Sequence, residues 1–164
     1  MGLPSLSWPP ARESPSAADG MTLSPAQASL LGCQCAQSPP PELLTGIRQF
    51  NAGEFWECHE TLEEIWRREA GPVRELYRGI LQVGVGFLHL RRANYRGSLS
   101  LLGRGLRRLE PLPAVCQGVD VADLRARTRW CLEKLLELGP ERVRDFRPEW
   151  VPRVRTVGPA ATAE

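Results

Sequence analysis

From Gly79 to Leu90 the chain reads GILQVGVGFLHL, without a single charged residue. A helix with no charged face must be covered on most sides, so this stretch demands neighbours around it. Projected at helical spacing, Leu76, Ile80, Val83, Phe87 and Leu90 fall on one side, and Gly79, Gln82, Gly86 and His89 on the other. Each helical glycine costs roughly 1 kcal/mol relative to alanine. Close approach of a second helix is the usual compensation. The expectation is a central helix whose glycine side meets a neighbour bringing polar partners for Gln82 and His89.

The flanking sequence supplies such neighbours. Pro41 to Asn51 carries Leu43, Ile47 and Phe50 at helical spacing and stops at Gly53; Glu54 to Glu69 stops at Gly71-Pro72. The uncharged stretch extends to a helix over Val73 to Arg91. Tyr95 to Leu109 follows, with Leu99, Leu102, Leu106 and Leu109 on one stripe. A fifth helix opens at Asp120, with Asp123 three residues on, and places Val121, Leu124, Thr128, Cys131, Leu135 and Leu138 along one face before Gly139-Pro140. The fold expected is all-α, a compact bundle of about five helices around a buried, glycine-containing central helix. Residues 1–40, rich in Pro, Ser, Ala and Gly, read as a disordered N-terminal tail, 41–147 as the helical bundle domain and 148–164 as a flexible C-terminal tail. Met21 offers an alternative start.

Composition excludes little. The net charge of +2 imposes no partner class, and 42% hydrophobic residues are ordinary for a globular chain. Five cysteines without a CxxC pair suggest reduced thiols in a cytoplasmic protein rather than a disulfide framework. No apolar run reaches the about 18 residues needed to cross a bilayer, and Leu6 breaks a myristoylation motif. The arginines Arg91, Arg92, Arg96, Arg104, Arg107 and Arg108 lack an aromatic platform, so they read as a solvated face and not as a nucleic-acid surface.

WECHETLEEIW, Trp56 to Trp66, is one residue away from the HExxH of zinc proteases, because Glu63 replaces the second histidine. Glu60, the would-be general base, projects away from the apolar side. His59, Glu63 and Trp66 stand at i, i+4 and i+7 and share a face. An antiparallel turn at Gly71-Pro72 would bring that face to the third helix, with Glu63 and Trp66 near Gln82 and His59 near His89. The chain's 2 histidines and a carboxylate (His59, Glu63 and His89) could then hold a divalent metal or, with Gln82 beside them, a small polar ligand, or serve as a general acid–base set. The same groups could instead satisfy one another, giving a structural cluster in an interaction module that contacts anionic partners through its arginine-rich face. Asn94 is expected to cap the fourth helix, with Arg96 in its first turn as an anion contact near His89.

The runs FNAGEFWECHETLEEIW and RGILQVGVGFLHLRRANYRGSLSLL resemble the domain-of-unknown-function family 309. The resemblance rests on His59, Glu63 and Trp66 as a His-x-x-x-Glu-x-x-Trp motif, on Phe50, Asn51 and Gly53 before it, and on Gln82, His89, Asn94 and Gly97 after it. It spans roughly residues 41–138, with Ser98 and Ser100 departing slightly from the pattern. It implies a small helical bundle and marks these residues as candidate ligand-binding positions; no activity comes with it.

Overall fold

A computed structural model describes residues 22–158. Helices α1 (Pro25–Cys35), α2 (Pro41–Asn51), α3 (Phe55–Arg68), α4 (Arg74–Arg91) and α5 (Tyr95–Leu109) lead to a short hairpin, β1 (Val115–Cys116) and β2 (Val119–Asp120). Helix α6 (Val121–Leu138) follows, then 3-10 turns at Pro140–Asp145 and Pro148–Trp150. The five helices expected from periodicity are α2 to α6, and the architecture is a mostly α-helical bundle.

Helix α4 is the centre. Every residue from Gly79 to Leu88 is buried. Its glycine side packs on α5, and the approach leaves no room for side chains. A Cβ on Gly105 would lie 2.7 Å from Val83 Cγ2 and 2.9 Å from both the Gly79 carbonyl and the Val83 amide. One on Gly86 would lie 3.0 Å from the Leu102 amide, and one on Gly79 would strike Leu109 at 2.6 Å. Gly105 approaches the Gly79 and Val83 backbone and Gly86 the Leu102 backbone more closely than a side chain at either glycine would allow. The buried face of α5 is accordingly Ser98, Leu101, Leu102, Gly105 and Leu109. It is rotated from the expected leucine stripe, because Leu99 and Leu106 are only half-buried.

Helix α3 meets α4 antiparallel on a different side. A Cβ on Gly84 would lie 3.6 Å from Phe55, and the Phe55 and Phe87 rings are centred 6.0 Å apart. Leu43, Phe50, Leu62, Leu76, Ile80, Leu124 and Leu135 are fully or almost fully buried and belong to one continuous core.

Both expected tails need correction. Within residues 1–40, helix α1 forms: Ser24 and Gln27 make reciprocal capping bonds, and Leu31 and Cys35, one turn apart, are buried. Gln34 ties α1 to the α3–α4 turn, donating to Glu69 (3.1 Å) and accepting from the Val73 amide (3.1 Å). At the other end Val154 is buried, and the Asn51 side chain grips its backbone through bonds of 3.0 and 2.8 Å. Val119 bridges Thr156, extending the hairpin by a partial third strand. The expectations for residues 1–21 and 159–164 lie outside the described residues.

The expectation of reduced thiols is also corrected, since Cys35 is bonded to Cys116 across 81 residues. The hairpin presents Cys116 by a two-residue turn, Gln117 (φ 46°) and Gly118 (φ 75°), both left-handed as such turns require. Gln117 is held there because its amide donates to the Cys35 carbonyl (2.7 Å) and its side-chain oxygen accepts from Tyr77 (2.7 Å).

Two measurements check this packing. Gly105→Ala should destabilise by about 1–3 kcal/mol through overpacking, despite alanine's better helix propensity. Gly103→Ala, with nothing within 4 Å of the added carbon, should stabilise by about 1 kcal/mol; equal effects in urea titrations would refute the α4–α5 geometry. Reduction, or Cys116→Ser, should lower stability by about 4.5 kcal/mol at most, the chain-entropy limit for so long a loop.

Candidate functional site

The three motif residues on α3 face different environments. His59 is 4% exposed and stacks on Trp56, ring centres 5.0 Å apart and planes 15° apart. Its Nε2 lies 3.8 Å from Glu63, an ion-pair distance beyond hydrogen-bond reach. Glu63 is half-buried and accepts a 2.9 Å bond from Arg67. Burial holds the His59 pKa below its ordinary value, with the nearby Glu63 and Glu60 carboxylates only partly opposing it and Arg67 adding to it. The imidazole is therefore neutral at pH 7. The neighbouring Cys58 thiol is pushed up to about 12 by burial, which keeps it protonated and unfit as a nucleophile or thiolate ligand. Glu60 is exposed, as its helical phase required.

Trp66 closes this face. The Arg74 guanidinium lies 4.5 Å and that of Arg78 5.3 Å from its ring centre, so two cations from the first turns of α4 pack on one indole. Trp66 Nε1 and Arg74 Nε are buried and make no hydrogen bond to protein. Gln82, one turn along α4 from Arg78, is 4% exposed, and its side-chain oxygen is likewise buried without a protein donor. Arg74 and Arg78 escaped the sequence reading. Their i, i+4 spacing just after the Gly71-Pro72 turn was the available signal.

His89 belongs to another place. Its Nδ1 is 3.0 Å from the Asn94 side-chain amide, which fixes Nδ1 as acceptor and puts the neutral ring's proton on Nε2. Asn94 in turn accepts from the Gly97 amide (3.0 Å), the expected cap of α5. A Cβ on Gly97 would lie 3.0 Å from His89 Cγ and 2.7 Å from the Asn94 amide nitrogen, so the α4–α5 corner depends on that glycine. Burial and Arg92 hold the His89 pKa below its ordinary value. Arg96 is exposed on the same turn.

The metal set expected from His59, Glu63 and His89 is not assembled. Among the described residues no group of three or more His, Cys, Asp or Glu side chains could hold a metal ion. Register is the reason. Phe55 sits at the level of Gly84 and Phe87, so His59, a turn further into α3, runs back toward Gln82. His89 lies roughly 10 Å beyond Gln82 along α4, at 1.5 Å per residue. The glycine side that carries His89 also faces α5 and not α3. The arginine face is in part structural: Arg108 lies 3.5 Å from the buried Glu75 carboxylate, and Arg91 donates to the Gly53 carbonyl (2.9 Å). No helix among the described residues is long and apolar enough to cross a membrane.

Comparison with known proteins places these positions. Over 73 residues the chain is 36% identical to the uncharacterized protein YpuF of Bacillus subtilis (strain 168), covering 43% of this chain and 42% of that one. Over 78 residues it is 23% identical to an uncharacterized protein of Aquifex aeolicus (strain VF5), covering 47% of this chain and 23% of that one. The chain thus spans less than half the length of the curated relatives it matches. Residues 43–101, which hold His59, Glu63, Trp66, Gln82, His89, Asn94 and Arg96, match the domain of unknown function DUF309, the family that the His-x-x-x-Glu-x-x-Trp run resembles.

Proposed function

We propose that the bundle is a binding module for a small polar molecule, held along the α3–α4 seam by His59, Glu63, Trp66 and Gln82 with Arg74 beside them. The observation that carries this is that Trp66 Nε1 and Arg74 Nε, packed together where α3 meets α4, and the Gln82 oxygen further along α4 are all buried and none is hydrogen-bonded to protein. An unsatisfied buried polar group costs about 1–3 kcal/mol, so a fold that retains several along α4 and its α3 neighbour points to a partner that satisfies them. Two donors and one acceptor suit a ligand with both functions. Neutral His59 and the half-buried Glu63 carboxylate add a second acceptor edge. In this reading His89 and Asn94 serve the α4–α5 corner, and Arg96 stands outside the ligand set.

Native mass spectrometry of untagged protein tests the reading. The expected result is a mass excess over the polypeptide that disappears on denaturation and in Gln82→Met. That variant should keep its fold with equal or higher stability, because an apolar isostere removes an unsatisfied oxygen. A wild type of bare polypeptide mass, together with a Gln82→Met protein that melts lower, would make the cluster purely structural.

His59 and His89 give a second check. Both folded-state pKa values lie below the ordinary 6.5, so the unfolded chain takes up protons first. Their contribution to stability is complete above about pH 6.5 and is lost as pH falls through the folded values. Melting temperature should be flat just above neutrality and fall toward pH 5, with a shallower fall in His59→Gln. An identical pH slope in that variant would contradict the neutral, buried state of His59.

A further inference from the structure

A cleft of about 560 Å³ lies on the opposite flank of α4's C-terminal end, between the α2–α3 turn and the C-terminal segment. Its apolar side is formed by Phe50, Phe55 and Phe87 with Leu90, Val143 and Val151. The three rings hold one another, with centres 5.3 to 6.3 Å apart, so this wall is rigid. Its polar side carries Arg91, Arg144 and Arg153, and among the described residues no carboxylate lines the cleft. Two other clefts, each about 520 Å³, differ in this respect: Asp123 and Glu149 line one, Glu137 and Asp145 the other. There the basic side chains have acidic company within the lining. Asp145, next in sequence to Arg144, is paired with Arg142 (3.1 Å).

From this combination we propose that the cleft binds a small carboxylate with an unbranched apolar tail. The volume lies within the range of small-ligand pockets, and a mostly apolar lining with a few placed charges is their usual composition. The tail lies over the half-buried Leu90 and Val151, with the buried phenylalanine rings behind them, while the head meets the arginines, whose planar forks match a carboxylate. Arg91 is pre-positioned, since its guanidinium sits 4.9 Å over the Phe55 ring while donating to the Gly53 carbonyl. Arg144 and Arg153 are exposed and supply the remaining charge. The site is separate from the α3–α4 seam and does not depend on the reading given for it.

Calorimetric titration of the full chain with decanoate tests the proposal, with decanol, acetate and inorganic phosphate as comparison probes. Decanoate should saturate one site, and each comparison probe should bind at least tenfold more weakly. The double substitution Arg144→Gln/Arg153→Gln, at exposed positions, should weaken decanoate about tenfold or more without lowering the melting temperature. Arg104→Gln/Arg107→Gln, on α5, should leave it unchanged. No saturable binding to folded protein, equal binding of decanol or phosphate, or indifference to the cleft substitutions would overturn the proposal. So would light scattering that shows the cleft closed by a second copy of the chain, with dimers that the cleft substitutions dissociate and decanoate does not.

Discussion

The close approach of α4 and α5 is the contact on which the rest of the bundle depends. Gly79, Gly86 and Gly105 let two helix backbones come within van der Waals distance. That approach uses one side of α4 completely, so α3 takes another, while α2 packs on α3 and α6 on α5. It also sets the corner where His89, Asn94 and Gly97 interlock, a hydrogen-bonded hinge with no spare volume. The polar residues of α4 are thereby divided, with Gln82 level with α3's motif and His89 level with α5's first turn. A cluster that helical phase alone would merge into one site is separated by the rise along the helix.

Much of this was legible in the residues. The periodic segments and their Gly and Pro stops located α2 to α6 within a residue or so, because amphipathic helices announce themselves by period. The uncharged run Gly79–Leu90 identified the buried centre for the same reason. What hydrophobic period could not show was packing by small residues. Leucines dominate any projection of α5, yet Gly105 makes its backbone approach to α4 and Ser98 is fully buried. Axial register was equally hidden, since it is set by Phe55 meeting Gly84 and Phe87, residues distant in sequence. The Cys35–Cys116 pairing and the Asn51 clamp on Val154 are long-range in the same sense. By contrast, α1 was readable: Ser24-Pro-Ala-Gln27 is a capping box, obscured by the proline-rich composition around it.

The candidate site illustrates how a motif can be correct in its residues and misleading in its chemistry. His59, Glu63 and Trp66 do share one side of α3, but burial neutralises the histidine, Arg67 engages the glutamate and two arginines flank the tryptophan. The surroundings favour neutral and cationic groups over a cage of anionic ligands.

The bond between Cys35 and Cys116 has a mechanical meaning. It joins the end of α1 directly to the hairpin before α6, so α2 to α5 form a closed covalent circuit. Tension applied between residues 22 and 158 would run through α1, across the sulfurs and on into α6. The four helices between, with both candidate seams of α4 among them, would carry none of that load while the bridge stands. Reducing it would place them in series with the pull, and the thiol state would then decide whether the bundle's centre is a shielded or a load-bearing part of the molecule.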